Sequence, residues 1–401
     1  MLLLTTTNTL SYNRRMTNHS TIQTGLEVFL TDGLPELTGN RVGLITNYTG
    51  VNRHLRSTVD LLYADTRIRL RALFGPEHGI LGNAQDGVEV AGSVDAHTGL
   101  PVYSLYGATQ RPTAESLEDL DALIFDIQDV GARYYTYIAT IVYAQEAAAE
   151  AGLRFVVFDR PNPITGKHIE GNILDPNFAS LIGVHPLPIR HGMTIGELAR
   201  LFAAERGYPP PLVVPMRGWR RDMWSDETGL PWVYPSPNMP TLDTAILYPG
   251  TCMLEGTNLS EGRGTTKPFE LVGAPWLDPF KLIAELEQRV LPGVAFRPAY
   301  FTPGFSKHKD TLCAGVQVHI IERDLVRPVE LGLSLLATLH RLYPDTFAWI
   351  MRNGIYFIDR LLGSDQPRRA LDAGTDVAEI MADWSEQNAA FEERRRPHLL
   401  Y

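Results

Sequence analysis

Cysteine is nearly absent, with only Cys252 and Cys313 in 401 residues. The two lie far apart and match no metal-ligand spacing, so they read as buried or free thiols, not as a disulfide framework or a zinc site. Excess positive charge is also missing. Lys and Arg total 36 against 46 Asp and Glu, a net charge of −10, which argues against nucleic acid or an anionic membrane as the main partner, because both reward a basic surface. No stretch approaches the ~20 consecutive apolar residues that span a bilayer. The N-terminal Met1-Leu-Leu-Leu4 puts its apolar residues ahead of any positive charge and then turns polar, the reverse of a secretory signal; a soluble, cytoplasmic protein is expected. Three catalytic signatures are absent as well: the Gly-x-Gly-x-x-Gly dinucleotide fingerprint, the Gly-x-Ser-x-Gly elbow and the His-Glu-x-x-His zinc pair. No cofactor and no bound metal is therefore expected.

Hydrophobic residues make up 44% and charged residues 20% of the chain, which is a globular composition. The length exceeds the roughly 100 to 200 residues of one domain, so two are expected. From Arg41 to Asn162 short apolar runs alternate with amphipathic segments, as in the βαβ units of a parallel sheet. The runs are Val42–Thr46, Leu70–Phe74, Ala122–Phe125 and Phe155–Phe158. Helical spacing covers Thr58–Ala64 and Tyr135–Ala151, the latter stopping at Gly152. Thr194 and Glu197 have capping-box spacing at the start of another helix. The proline-rich Pro209-Pro-Pro211 and Tyr234-Pro-Ser-Pro-Asn-Met-Pro240 read as rigid connection. The expected fold is α/β, with a Rossmann-like parallel-sheet domain over residues 25–240 and a smaller α+β domain over 241–401. In the second domain Gly315–Ile320 reads as a strand and Val329–Leu342 as a helix. Glu392-Glu-Arg-Arg-Arg396 reads as a solvated helix face.

Polar residues follow every apolar run: Asn47, then Gly75-Pro-Glu-His-Gly79, then Asp126-Ile-Gln-Asp129, then Asp159-Arg-Pro-Asn162. In open α/β sheets ligands bind beyond the carboxyl ends of strands, which makes this edge the candidate rim. Glu77 sits in a turn preset by proline and glycine, a setting that suits a general acid, although a surface-loop glutamate fits the same residues. Asp126 and Asp129 offer the paired carboxyls of glycosidic cleavage, or alternatively helix caps. Glu255, Asn258, Glu261 and Arg263 share one glycine-rich loop suited to polyhydroxylated or anionic ligands; an internal salt bridge between Arg263 and either glutamate is the alternative. His78, His185 and His191, with Asp126, admit a metallohydrolase reading, though on glycine-rich turns histidines more often serve as hydrogen-bond donors. Among the aromatics, Tyr134, Tyr135, Trp219, Trp224, Trp232 and Trp276 are expected mainly in the core, with room for one or two to stack on a sugar.

Six segments in order resemble the exo-β-N-acetylmuramidase (NamZ) family, formerly a domain of unknown function. They are Phe74-Gly-Pro-Glu-His-Gly79, Phe125-Asp-Ile-Gln-Asp-Val-Gly-Ala-Arg133, Asp159-Arg-Pro-Asn-Pro-Ile164, Arg190-His-Gly-Met-Thr-Ile-Gly-Glu197, Pro235-Ser-Pro-Asn-Met-Pro240 and Glu255–Thr266. The resemblance runs from about residue 25 to the C-terminus. It implies a bacterial glycoside hydrolase that releases N-acetylmuramic acid from the non-reducing ends of peptidoglycan fragments, with a role in cell-wall recycling. It also implies a cleft between the two domains, with Glu77 carried over as catalytic. Asp126, Asp129, Glu255 and Glu261 all remain open as the partner carboxylate. Asn47, His78, Arg160, Asn162, His191, Glu255, Asn258, Glu261 and Arg263 are the expected substrate-binding residues, with Arg263 or Arg160 on the lactyl carboxylate. The expected partner is a muropeptide or another saccharide containing N-acetylmuramic acid. A metal-dependent hydrolase and a non-catalytic muropeptide-binding protein are the rival readings.

Overall fold

A computed structural model describes residues 22–77, 79–80, 93–107 and 109–401. His78 and the N-terminal segment read above lie outside the described residues. The first half forms a seven-stranded sheet from β1 (Arg41–Thr46), β2 (Arg69–Gly75), β3 (Ser93–Val94), β4 (Pro101–Ser104), β5 (Ala122–Asp126), β6 (Arg154–Phe158) and β7 (Leu212–Val214). Their spatial order is β3-β4-β2-β1-β5-β6-β7, and every pair is parallel except β3 with β4. Setting aside the two-residue β3, the strands run third-second-first-fourth-fifth-sixth, the doubly wound order of dinucleotide-binding sheets. β1, β5 and β6 are buried along nearly their whole length, which is why they read as unbroken apolar runs. β4 and β7 escaped that reading. β4 is only partly buried, and β7 is three residues long, directly after prolines that had read as connection.

The helices begin and end where local chemistry directs. Tyr137–Glu150 is followed by Gly152 at φ +67°, and Ile195–Arg206 carries the Thr194/Glu197 capping box and stops at left-handed Gly207. In the second half β8 (Leu271–Ala274), β9 (Val294–Phe301) and β10 (Cys313–Ile320) form an antiparallel sheet in the order β8-β10-β9. β9 was not expected because Pro298 interrupts it; as an edge strand it tolerates the missing donor. The helix Pro328–Leu342 packs on Leu242–Thr251 with their backbones touching at Gly250, where a β-carbon would lie 1.7 Å from Pro328 O. Among the described residues no helix is long and apolar enough to cross a membrane.

The two sheets fall on either side of residue 240, yet the packing crosses it. One apolar core includes Phe74, Ile141 and Phe202 from the first half and Met253, Leu335 and Phe391 from the second. The helix Trp384–Arg395 then returns to the first half, where Gln387 Oε1 accepts from Ile173 N at 3.0 Å. Here the expectation of a solvated basic face fails for Arg395, which is buried and donates to Gly192 O at 2.6 Å and Gly166 O at 3.2 Å. Arginine can enter because those turn carbonyls need donors. Behind it, Tyr401 donates its hydroxyl to Asp159 Oδ2 at 2.7 Å and accepts from Met216 N at 2.7 Å.

Burial, together with nearby Glu197, pushes the Asp159 carboxyl up to about 7. Its folded value thus lies above its unfolded one, so its stabilising contribution is complete below the ordinary carboxylate range and is lost as pH rises through about 7. The melting-temperature advantage of the natural protein over Asp159→Asn should therefore shrink steadily as pH rises from mildly acidic to neutral. A gap that stays constant over that range would show that Asp159 does not titrate there.

Candidate active site

The crevice beyond β1 and β5, where doubly wound sheets take their ligands, is filled from within. Asp126, the last residue of β5, accepts from Arg160 Nε at 2.5 Å and Nη2 at 2.9 Å, and from Thr58 Oγ1 at 2.5 Å. Arg160 also donates to Val51 O at 3.1 Å, and both members of the pair are buried. Arg160, expected to receive an anion on the rim, instead neutralises Asp126; a buried pair of this kind is costly to break because the remaining charge is left uncompensated. Asp129 likewise serves its own loop, with Oδ2 accepting from Gly131 N at 2.7 Å and lying 3.6 Å from His191 Nε2. His191 accepts from Met193 N through Nδ1, and Asn162 bonds Met193 O and Ile164 N, so both hold turns. His185 contacts Glu205.

Glu77 lies one strand further over, past the end of β2. Its turn is closed by Gly79 N donating to Pro76 O at 2.9 Å, with Gly79 at φ +70°. The carboxyl is buried at 5% exposure and accepts from Thr136 Oγ1 at 2.6 Å. Thr136 stands just ahead of the Tyr137–Glu150 helix, so this bond ties the turn after β2 to the start of that helix. Asn47 acts at one remove: its Nδ2 donates to Tyr137 OH at 2.8 Å, and that hydroxyl donates to Pro235 O at 2.6 Å. Tyr135 packs edge-on against Tyr137 at 4.9 Å. Burial raises both phenols well above the ordinary tyrosine value, so they remain neutral donors. Among the described residues the hydroxyls of Tyr48 and Tyr135 and the Asn238 amide nitrogen have no hydrogen-bond partner. Buried polar groups without partners are uncommon, and of these three Tyr135 lines the cavity described next.

The opposite wall comes from the second half. A cavity of about 220 Å³ is lined by Glu77, Tyr135, Thr136 and Ser236 on one side and by Glu255, Arg263, Phe269, Arg352 and Phe357 on the other. Gly262 and Gly264 both have φ above +80°, and a β-carbon on either would lie 2.6 to 2.7 Å from a carbonyl oxygen, so the loop requires glycine there. Between them Arg263 donates to Glu255 Oε1 at 2.8 Å, stands 3.4 Å from Glu261 Oε1 and covers the Phe269 ring at 5.1 Å. Lys307 completes the chain of charge at 2.8 Å from Glu261 Oε2. Arg263, expected on the lactyl carboxylate, is thus occupied by the internal pairing that its sequence also allowed. Asn258 braces the loop by bonding Thr346 O and Ala348 N. A larger groove of about 790 Å³ opens elsewhere around Trp224, but its Asp226 and Glu227 are both held by Arg323.

The motifs thus brought Glu77 together with Glu255 and Arg263, while Asp126, Asp129 and Glu261 do not line the cavity. Tyr135 is one of the aromatics with room to stack on a sugar, whereas Thr136 and Ser236 went unnoticed as site residues although they lie within or just after quoted motifs. Arg352 had no motif to announce it.

Comparison with known proteins shows the family of the chain. The N-terminal family model of the exo-β-N-acetylmuramidase NamZ matches residues 42–243 and the C-terminal one matches residues 246–401. The chain is 51% identical over 381 residues to the peptidoglycan β-N-acetylmuramidase NamZ of Bacillus subtilis (strain 168), covering 95% of this chain and 91% of that one. Two crystal structures of DUF1343 family proteins from Bacteroides fragilis NCTC 9343 superpose on 95% of this chain and 99% of their own. Their TM-scores are 0.87 and 0.74, at 38% and 30% identity. With both family models matched in order over almost the whole described chain, this protein belongs to the exo-β-N-acetylmuramidase NamZ family.

Proposed function

We propose that the chain hydrolyses the glycosidic bond of a terminal N-acetylmuramic acid in peptidoglycan fragments, with Glu77 as general acid and Glu255 as its partner carboxylate. The observation that carries this reading is the shared cavity: Glu77 from the first half and Glu255 from the second face one space of about 220 Å³. That is less than the ~300 Å³ at which pockets for drug-sized ligands begin, and it suits one sugar ring better than a continuous glycan, as exolytic action requires. Thr136 fixes one oxygen of Glu77. Both described contacts of Glu255, from Arg263 and Cys252, fall on Oε1. Two carboxyl groups on opposite sides of a sugar are the equipment of glycosidic cleavage, one protonating the leaving oxygen and the other assisting attack. The hydroxyl of Tyr135, which lines this cavity and has no hydrogen-bond partner among the described residues, supplies a donor for a ring substituent.

The test is release of chromophore from para-nitrophenyl β-N-acetylmuraminide beside the matching glucosaminide, with and without a chelator. Cleavage of the muraminide alone, undiminished by chelation, is the expected result. Tight binding without release from either compound would overturn hydrolysis in favour of a sugar-binding protein, and loss on chelation would favour a metal-dependent enzyme.

A further inference from the structure

We infer that Arg352 is the specificity-determining residue that receives the acidic lactyl group of the sugar, in place of the two arginines marked by the motifs. The inference rests on the hydrolase reading above and deepens it. A carboxylate buried on binding needs a cation that the protein has not already neutralised, because its desolvation is otherwise uncompensated. Arg160 belongs to Asp126. Across the cavity, Arg263 and Lys307 stand against Glu255 and Glu261, two cations to two anions. Arg352 also lines the cavity, and among the described residues no carboxylate lies within salt-bridge distance of it.

Its placement is built. Arg352 ends one arm of a hairpin, Met351–Arg352 paired with Ile355–Tyr356, whose tip residues Asn353 and Gly354 are both left-handed at φ +53° and +77°. The hairpin is fastened to the glycine-rich loop by Ile350 N donating to Gly256 O at 2.8 Å. At its base Tyr356 lies under Arg368, which is itself locked to Asp359 at 2.8 and 3.0 Å. The Arg352 guanidinium rests on the Phe357 ring at 4.0 Å, and Phe357 also lines the cavity. A guanidinium seated over an aromatic face leaves its donors for two-pronged capture of a carboxylate.

The experiment pairs the natural protein and Arg352→Ala with two chromogenic muraminides, one carrying the free lactyl carboxylate and one its primary amide. The natural protein should prefer the acid by about ten- to a hundredfold in kcat/KM, the range of a hydrogen bond to a charged group. Arg352→Ala should lose most of that preference, the KM of the acid rising towards that of the amide. Arg352→Lys, which keeps the charge but not the fork, should restore part of it. An alanine variant that keeps the preference, or that loses activity equally on acid and amide, would overturn the assignment. Failure of the natural protein on both compounds would instead overturn the hydrolase reading itself.

Discussion

Glu77→Gln should lower turnover of a disaccharide carrying terminal N-acetylmuramic acid by about 10²- to 10⁴-fold, the usual contribution of a positioned general acid. Glutamine retains the oxygen that accepts from Thr136 Oγ1 and fills the same space, so the melting temperature should scarcely change. The loss should depend on the leaving group. A sugar alkoxide must be protonated as it departs, whereas nitrophenolate leaves well without help, so the step that breaks the bond to an aryl glycoside should suffer far less. Glu255→Gln is expected to lower turnover of both substrates alike, because assisting attack does not depend on what leaves. Equal losses on the two substrates for Glu77→Gln would remove it from the acid role, even if it proved essential.

Arg133→Met should be the most damaging substitution for stability. Arg133 is completely buried, and its guanidinium donates to four carbonyl oxygens: Asn172 and Leu187 at 2.7 Å, Leu361 at 3.0 Å and Leu362 at 2.8 Å. Burial lowers its pKa to about 10, so at neutral pH it remains a cation whose charge is dispersed over peptide dipoles. Methionine fills similar volume; Leu187 O and Leu362 O keep a second donor in Leu174 N and Asn172 Nδ2, but Asn172 O and Leu361 O lose theirs, and the lost bonds cost about 1 to 3 kcal/mol for each carbonyl that stays dry. The sum is several kcal/mol, a large share of the roughly 5 to 15 kcal/mol that holds a domain folded. Thermal or denaturant unfolding measures it directly, and a shift of under about 1 kcal/mol would mean that water replaces the lost donors.

The same residue shows where reading from sequence stops. Arg133 closes one of the six recognised segments, but its partners lie 39, 54, 228 and 229 residues away, and no local pattern encodes them. The central strands were legible because burial on both faces leaves a continuous apolar run, and the helix at Ile195 because a capping box is a local bond pattern. Edge strand β9 hid behind Pro298 and its half-exposed surface. Glu77 was legible because the turn that presents it needs proline and glycine. Asp126 and Arg160 share the same polar strand ends, and only their mutual distance reveals a plug rather than a site. Arg352 stands in a two-residue strand with neither apolar alternation nor a motif, so its significance emerges only once the other cations have been paired.

The core that runs through both halves has a dynamic consequence. Two lobes joined by one linker usually swing about it, and a ligand between them must close them. Here the halves share apolar packing, the buried arginine reaches carbonyls of both, and the returning C-terminal helix adds a further attachment. Hinge bending would require unpacking the centre of the molecule, so the pocket keeps its shape before any sugar arrives. Little of the binding free energy of a single ring is then consumed in ordering the walls around it, which is how so small a contact area can still discriminate.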